Sequence, residues 1–350
     1  MPAEPGDEFE FIRALTTPCD GGGGVVVGIG DDAAVLRPRE GRDLVATTDA
    51  FVEGRHFRLD LMTPEVVGSR LARANVSDIL AMGAEPRWAL LSLSVPPTAN
   101  RALVVAIQHR CREALGQSGV AIVGGNVTAT DGPLVLNMTL LGDVERGRQW
   151  TRSGAREGDV LALSGPTGCA GALLAAALWR NPPSLGHVPP SLVETFGAGP
   201  SLGGLARALA AHAGVGAAID ISDGFAGDLA HLCAASGVGA TIEEARVPVH
   251  PGIREVARLL ASGLASERAD ILPGSEQGII EHLLFGPSDD YELLLALRAE
   301  RAASVLEAAA AAGHPLAIVG RCTGAAGVLA LRRVDGREEP LPGRGYDHFG

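Results

Sequence analysis

Apolar residues in this chain fall into short β-branched runs and longer helical stretches, separated by glycine-rich turns. GGGGVVVGIG predicts a glycine turn and a short strand that ends in the pair Asp31–Asp32. LVATTDA predicts a second strand that carries Thr47, Thr48 and Asp49 at its end. From Pro64 to Gly83 the pattern is that of one helix, with Thr63 as N-cap, Pro64 near the first helical position and Gly83 as the stop. Asn75 and Asp78 share a face of that helix and interrupt an otherwise apolar surface. RWALLSLSVP alternates as a half-buried strand does. Residues 99–117 predict a helix, and VAIVGG and PLVLNMTLLGDV predict strands.

The pattern changes near residue 150. TRSGAREGD predicts a loop, VLALSG a strand, and GCAGALLAAALW a helix that opens from a Gly-rich turn. Residues 181–203, rich in Pro, Gly and Ser, are expected to form a loop or insertion. The strand AAIDIS, the helix DGFAGDLAHLCAASG and the strands YELLLAL, LAIVG and VLALRR follow. Strands with hairpin-like neighbours, mixed with helices, predict an α+β fold rather than a doubly wound α/β sheet. The boundary is placed at about residue 150, giving domains of 1–150 and 151–350.

Composition narrows the chemistry. The 350 residues carry a net charge of −12 and contain no lysine; every side-chain cation other than histidine is arginine. An acidic chain without a basic stripe does not predict a nucleic-acid binder. No apolar run reaches the roughly 18–20 residues that span a bilayer. MPAEPGDEFEF lacks the n- and h-regions of a signal peptide, so a cytoplasmic protein without a membrane partner is expected. The five cysteines (19, 111, 169, 233 and 322) are scattered and show no metal-ligand spacing. Without lysine, Walker A, protein-kinase and Schiff-base chemistries are excluded.

Five short segments place aspartate at or near the end of an apolar run: GIGDD, ATTDA, NVSDILAMGA, DISDG and SDDYEL. Carboxylates delivered from separate rigid elements suit Mg²⁺, which takes carboxylate and phosphate oxygens. Asp31, Asp49, Asp78 and Asp220 are the candidate ligands, with Thr47, Thr48 and Ser222 as neutral oxygens nearby. Any one aspartate in such a turn is explained by turn chemistry; the set points to a metal-assisted phosphate site. GPTGCAGAL opens a helix and is open to two readings, a phosphate cradle or a packing turn. His56, beside Phe57, is a candidate substrate contact or a structural histidine.

In order, GIGDDAAVL, TTDAFVEGRHF, NVSDILAMGAEPR, IVGGN, TRSGAREGD, DISDGFAGDL, DDYELL and the terminal GYDHF resemble the thiamine-monophosphate kinase family, of the aminoimidazole ribonucleotide synthetase superfamily. The resemblance runs from about residue 28 to the C-terminus. It implies an N-terminal domain that binds ATP and Mg²⁺ and forms a homodimer through its sheet, followed by a C-terminal α+β domain. It implies ATP-dependent phosphorylation of thiamine monophosphate to thiamine diphosphate by direct in-line transfer. By motif, Asp31, Thr47, Thr48, Asp49, Asp78, Asn126, Asp220 and Asp223 would be metal ligands. Gly125, Asn126, Arg152 and Ser222 would line the nucleotide, and His56, Asp289 and Tyr346 would face the thiamine phosphate. Asp31, Asp78 and Arg152 would carry the catalysis.

Two departures stand out. Asn126 replaces the family's usual aspartate, and PSDDYEL replaces GGEDYEL, so Asp289 is one methylene shorter than the usual glutamate. The alternatives are a non-catalytic nucleotide-binding homologue, or another ATP-using enzyme of the superfamily. Selenophosphate synthetase calls for a lysine-bearing loop, and the hydrogenase-maturation relative calls for a cysteine tail; this chain has neither.

Overall fold

The computed structural model describes residues 11, 14–15, 23–179, 184–198, 202–262 and 273–346. The chain divides into two compact units, one of residues 1–79 and 84–147, the other of residues 80–83 and 148–350. Cys19 lies outside the described residues.

The first unit opens with a small antiparallel pair, β1 (Val25–Val27) and β2 (Val35–Leu36). Its main sheet contains β3 (Arg42–Val52), β4 (Glu85–Val95), β5 (Ala121–Ala129) and β6 (Val135–Glu145), in the order β3-β6-β4-β5. Helix α1 spans Pro64–Ala81, and Gly83 just beyond it has φ +66°. Helix α2 spans Arg101–Gln117, capped by the Asn100 side chain on the amide of Ala102. The two helices touch where Gly68 has no side chain: a Cβ there would meet the Ile107 carbonyl oxygen at 2.3 Å.

The pairing within this sheet differs from the hairpin-like expectation. β5 runs parallel to β4 through the α2 crossover, and β6 inserts antiparallel between β3 and β4. The alternating apolar pattern marks which residues face inward but does not name the partner strand, and helix α2 is long enough for a crossover.

The second unit holds a seven-stranded mixed sheet: β7 (Val160–Leu163), β8 (Val215–Asp220), β9 (Gly239–Glu243), β10 (Leu293–Leu297), β11 (Ala317–Thr323), β12 (Leu329–Arg332) and β13 (Glu338–Pro340). Their order is β13-β12-β9-β11-β7-β10-β8, which leaves β8 at an edge. Around it lie α3 (Cys169–Leu178), α4 (Pro190–Ala198), α5 (Gly203–Ala210), α6 (Phe225–Ser236), α7 (Pro251–Ser262), α8 (Glu276–Phe285) and α9 (Ala302–Ala311). Mixed sheets with helices make the architecture α+β.

The loop expected at 181–203 is corrected over its second half. Pro190 starts helix α4, and Leu192 and Phe196, four residues apart, are both buried. Proline at the first helical position is pre-set for helix, so its abundance there misleads a reading that counts it only as a breaker. Residues 180–183 and 199–201 lie outside the described residues.

Candidate functional site

In the first unit, strand alternation puts Thr47 and Asp49 on one face of β3 and Thr48 on the other. The Thr47 hydroxyl donates to the Asp78 carboxylate on α1. Burial, with the neighbouring Asp78 charge adding to it, pushes the Asp49 carboxyl up to about 6. Two carboxylates held this close favour either a shared proton or a cation between them. The donor set of two carboxylates and a hydroxyl fits Mg²⁺, which takes one or two protein carboxylates and completes its shell with water and substrate phosphate. Among the described residues no three His, Cys, Asp or Glu side chains form a metal-holding group.

Thr48 faces the other way, where its hydroxyl donates to the Met138 carbonyl at 3.0 Å. Asn75 is fully buried and its amide donates to the Leu71 carbonyl at 3.0 Å, so of the two polar residues on that helix it is Asp78 that meets β3. Asp31 is exposed in the turn after Gly30 and accepts the amide hydrogen of Asp32 at 2.9 Å. Gly125 and Asn126 lie on the exposed part of β5, opposite Leu91 and Ser92 of β4. A Cβ on Gly125 would meet the Leu91 carbonyl oxygen at 2.0 Å, so glycine there permits the close strand approach. His56 stacks on Phe51 with ring centroids 5.8 Å apart, and its Nδ1 accepts the Val52 amide hydrogen at 3.1 Å. That bond leaves the neutral ring with its proton on Nε2.

In the second unit the predicted residues gather around one end of β8. Asp220 is the last residue of that strand, is buried, and pairs with Leu293. The turn that follows is tightly held: the amide hydrogens of Ser222, Asp223 and Gly224 donate to one oxygen of Asp228, at 3.0, 3.0 and 3.1 Å. Burial raises the Asp228 carboxyl to about 7; the three amides oppose that rise and the Asp223 charge adds to it. Arg152 enters beside β8, because the Thr151 carbonyl accepts the Ala218 amide hydrogen at 2.9 Å, two residues before Asp220.

Two further segments reach the same turn. The Tyr346 amide donates to the Asp223 carbonyl at 3.0 Å, and the Tyr346 residue is 50% exposed. Asp289 precedes a sharp bend in which Tyr291 takes φ 56° and is the one non-glycine residue with positive φ among the described residues. The Tyr291 amide donates to the Ile221 carbonyl at 2.7 Å, and the Ile221 amide to the Glu292 carbonyl at 2.7 Å. Arg152, Asp220, Ser222, Asp223, Asp289 and Tyr346 therefore share one neighbourhood.

The Gly-rich turn before α3 proves to be a packing turn. Its amides at Gly168 and Ala170 are taken by the buried carboxylate of Asp290, at 2.6 and 3.0 Å. Sequence reasoning missed Asp228 and Ser236 and gave Asp290, part of the SDDYEL segment, no turn-holding role; all three hold turns by their side chains. Asp228 carried a local signal, since it falls in the first turn of a helix that follows a predicted site turn.

Comparison with known proteins places these observations. The chain matches the AIR synthase related protein, N-terminal domain over residues 30–144, and the AIR synthase related protein, C-terminal domain over residues 156–330. It is 33% identical to a thiamine-monophosphate kinase of Caulobacter vibrioides, over 94% of this chain and 87% of that one. Among solved structures it is similar to thiamine-monophosphate kinase from Stenotrophomonas maltophilia K279a, with TM-score 0.74, 30% identity, and 94% and 95% of the two chains covered. It is also similar to AaThiL complexed with AMPPCP and TMP, with TM-score 0.71, 26% identity and 89% of each chain covered.

Proposed function

This chain belongs to the AIR synthase related family, among its thiamine-monophosphate kinases, and from that membership and the carboxylate geometry we infer ATP-dependent phosphorylation of thiamine monophosphate to thiamine diphosphate. The observation that carries this reading is the pairing of Asp49 with Asp78, set by the Thr47 hydroxyl. A protein that keeps two carboxylates in mutual repulsion is equipped to hold a divalent cation there.

The acceptor is itself a phosphate oxygen, ionised near neutral pH, so no strong general base is required. The task left to the protein is to bring two anions together in line. Bound Mg²⁺ would screen charge between ATP and the acceptor phosphate. We assign the ligands of several Mg²⁺ ions to Asp31, Thr47, Thr48, Asp49, Asp78, Asn126, Asp220 and Asp223. Arg152 supplies the side-chain cation toward the nucleotide phosphates, a role no lysine in this chain can take. Gly125 and Ser222 line the nucleotide. The Nε2 proton of His56, together with Asp289 and Tyr346, faces the thiamine phosphate.

A homodimer through the four-stranded sheet is part of the same proposal. Leu44, Ala46 and Thr48 of β3 are exposed on the face opposite Thr47, and Leu90 continues that face through the register Thr48–Thr139–Leu90. The location proposed for the reaction is the cytoplasm, where ATP is supplied.

The test is direct. Purified protein with Mg-ATP and thiamine monophosphate should release thiamine diphosphate and ADP in equal amounts, measured by chromatography. ATP binding without any thiamine diphosphate would instead identify a non-catalytic homologue.

A further inference from the structure

Helix α6 has a polar anchor at each end, and each anchor holds a different candidate segment. At its start Asp228 accepts three consecutive amide hydrogens from the Ser222–Gly224 turn. Consecutive amides that converge in this way form a nest for an anion. Here the nest is filled by the chain's own carboxylate, which is 2% exposed and so faces little competition from water. The turn between Asp220 and Asp223 is thereby fixed from within.

At the end of the same helix Ser236 grips the Arg152 loop with three bonds. Its hydroxyl donates to the Arg152 carbonyl at 2.9 Å and accepts the amide hydrogens of Gly154 and Ala155 at 3.1 and 3.0 Å. The eight residue steps from Asp228 to Ser236 make about 12 Å of helix at 1.5 Å per residue. A second brace supports this loop: Arg298 donates to the Gly154 carbonyl at 2.8 Å and to Asp159 at 2.6 Å.

We propose that Asp228 and Ser236 are positioning residues for phosphoryl transfer, and that the helix between them sets the spacing of the Ser222–Gly224 turn and Arg152. Neither residue touches substrate in this scheme. Each acts through the segment it holds, and the proposal rests on the reading of those segments given above.

The test uses the full-length protein. Calorimetry with Mg²⁺ and AMPPCP reads nucleotide affinity, amide hydrogen exchange of the metal-free protein reads the two segments, and turnover gives kcat and KM. Ser236→Ala should weaken AMPPCP binding about tenfold, the loss expected when a loop's hydrogen bonds go, and should speed exchange at Gly154 and Ala155. Ser236→Thr, which keeps the hydroxyl, should restore affinity to within about threefold. Asp228→Asn should lower kcat about tenfold or more and speed exchange at residues 222–224. Wild-type affinity and turnover in both Ser236→Ala and Asp228→Asn would overturn the proposal. So would a loss in Ser236→Ala that threonine does not repair, because that marks a role in folding alone. If Asp228→Asn does not fold, the Ser236 pair decides the question. A wild-type protein that binds AMPPCP but makes no thiamine diphosphate defeats the assigned reaction and leaves the positioning test readable through affinity and exchange.

Discussion

The carboxylate of Asp290 accepts the amide hydrogen of Gly168 at 2.6 Å, across 122 residues of sequence. It also accepts that of Ala170, and so fills the N-terminus of α3 with an internal anion. Asp290→Ala would leave two buried amides without a partner, at a cost of about 2–4 kcal/mol. Urea unfolding should show a lower midpoint with an unchanged slope. An unchanged midpoint would mean that the cap contributes nothing to stability.

Asp49 gives the metal-free protein an unusual pH response. Its carboxyl sits at about 6 when folded, against about 3.9 in an unfolded chain. Between those values the folded state binds the extra proton, so stability declines as pH rises from about 4 through 6. Asp49→Asn should flatten that slope and raise the melting temperature of the metal-free protein near pH 7.5. Added Mg²⁺ should raise the wild-type melting temperature more at about pH 7.5 than at about pH 5.5, and should do little for Asp49→Asn. A metal-free wild type whose stability does not fall across this range would contradict the assignment.

Asp143 shows the opposite sign. Burial alone would raise its carboxyl, but the guanidinium groups of Arg39 and Arg42 reverse this and hold it below the ordinary carboxylate range. Its contribution should be complete above about pH 4 and be lost as pH falls further. Asp143→Asn should destabilise the protein by about 2–4 kcal/mol at neutral pH, since it leaves two arginines poorly paired. Chemical denaturation of both proteins at neutral and acid pH checks this; a gap that stays constant into strong acid would count against it.

Gly227 permits the C-terminal segment to dock. A Cβ at this position would meet the Gly345 Cα at 2.5 Å, next to the bond from Tyr346 to Asp223. Gly227→Ala should raise KM for thiamine monophosphate about tenfold, because small displacements at a substrate contact are expensive. KM for ATP should stay within about twofold. Equal KM values for thiamine monophosphate in both proteins would remove Tyr346 from the substrate site.

Much of this architecture was legible in the sequence. The alternation in β4, the proline start of α1 and the Asp-ended turns all point to elements that the structure contains. Such signals are local: each depends on neighbours within a turn of helix or a few strand residues. What escaped notice is non-local. Strand order depends on where β6 inserts, and Pro190–Ala198 is helical because Leu192 and Phe196 find buried surface. The caps at Gly168 and at Ser222–Gly224 differ in the same way. Asp228 lies only four to six residues from its partners and was within reach of sequence reasoning, whereas Asp290 could be matched to Gly168 only through the fold.

The two-ended helix α6 has an implication for redesign. Libraries aimed at altered nucleotide preference would naturally randomise the 152–155 loop. Because that loop and the 222–224 turn are tied to one rigid rod, useful substitutions in either should arise in correlated sets, with compensating changes at its opposite end.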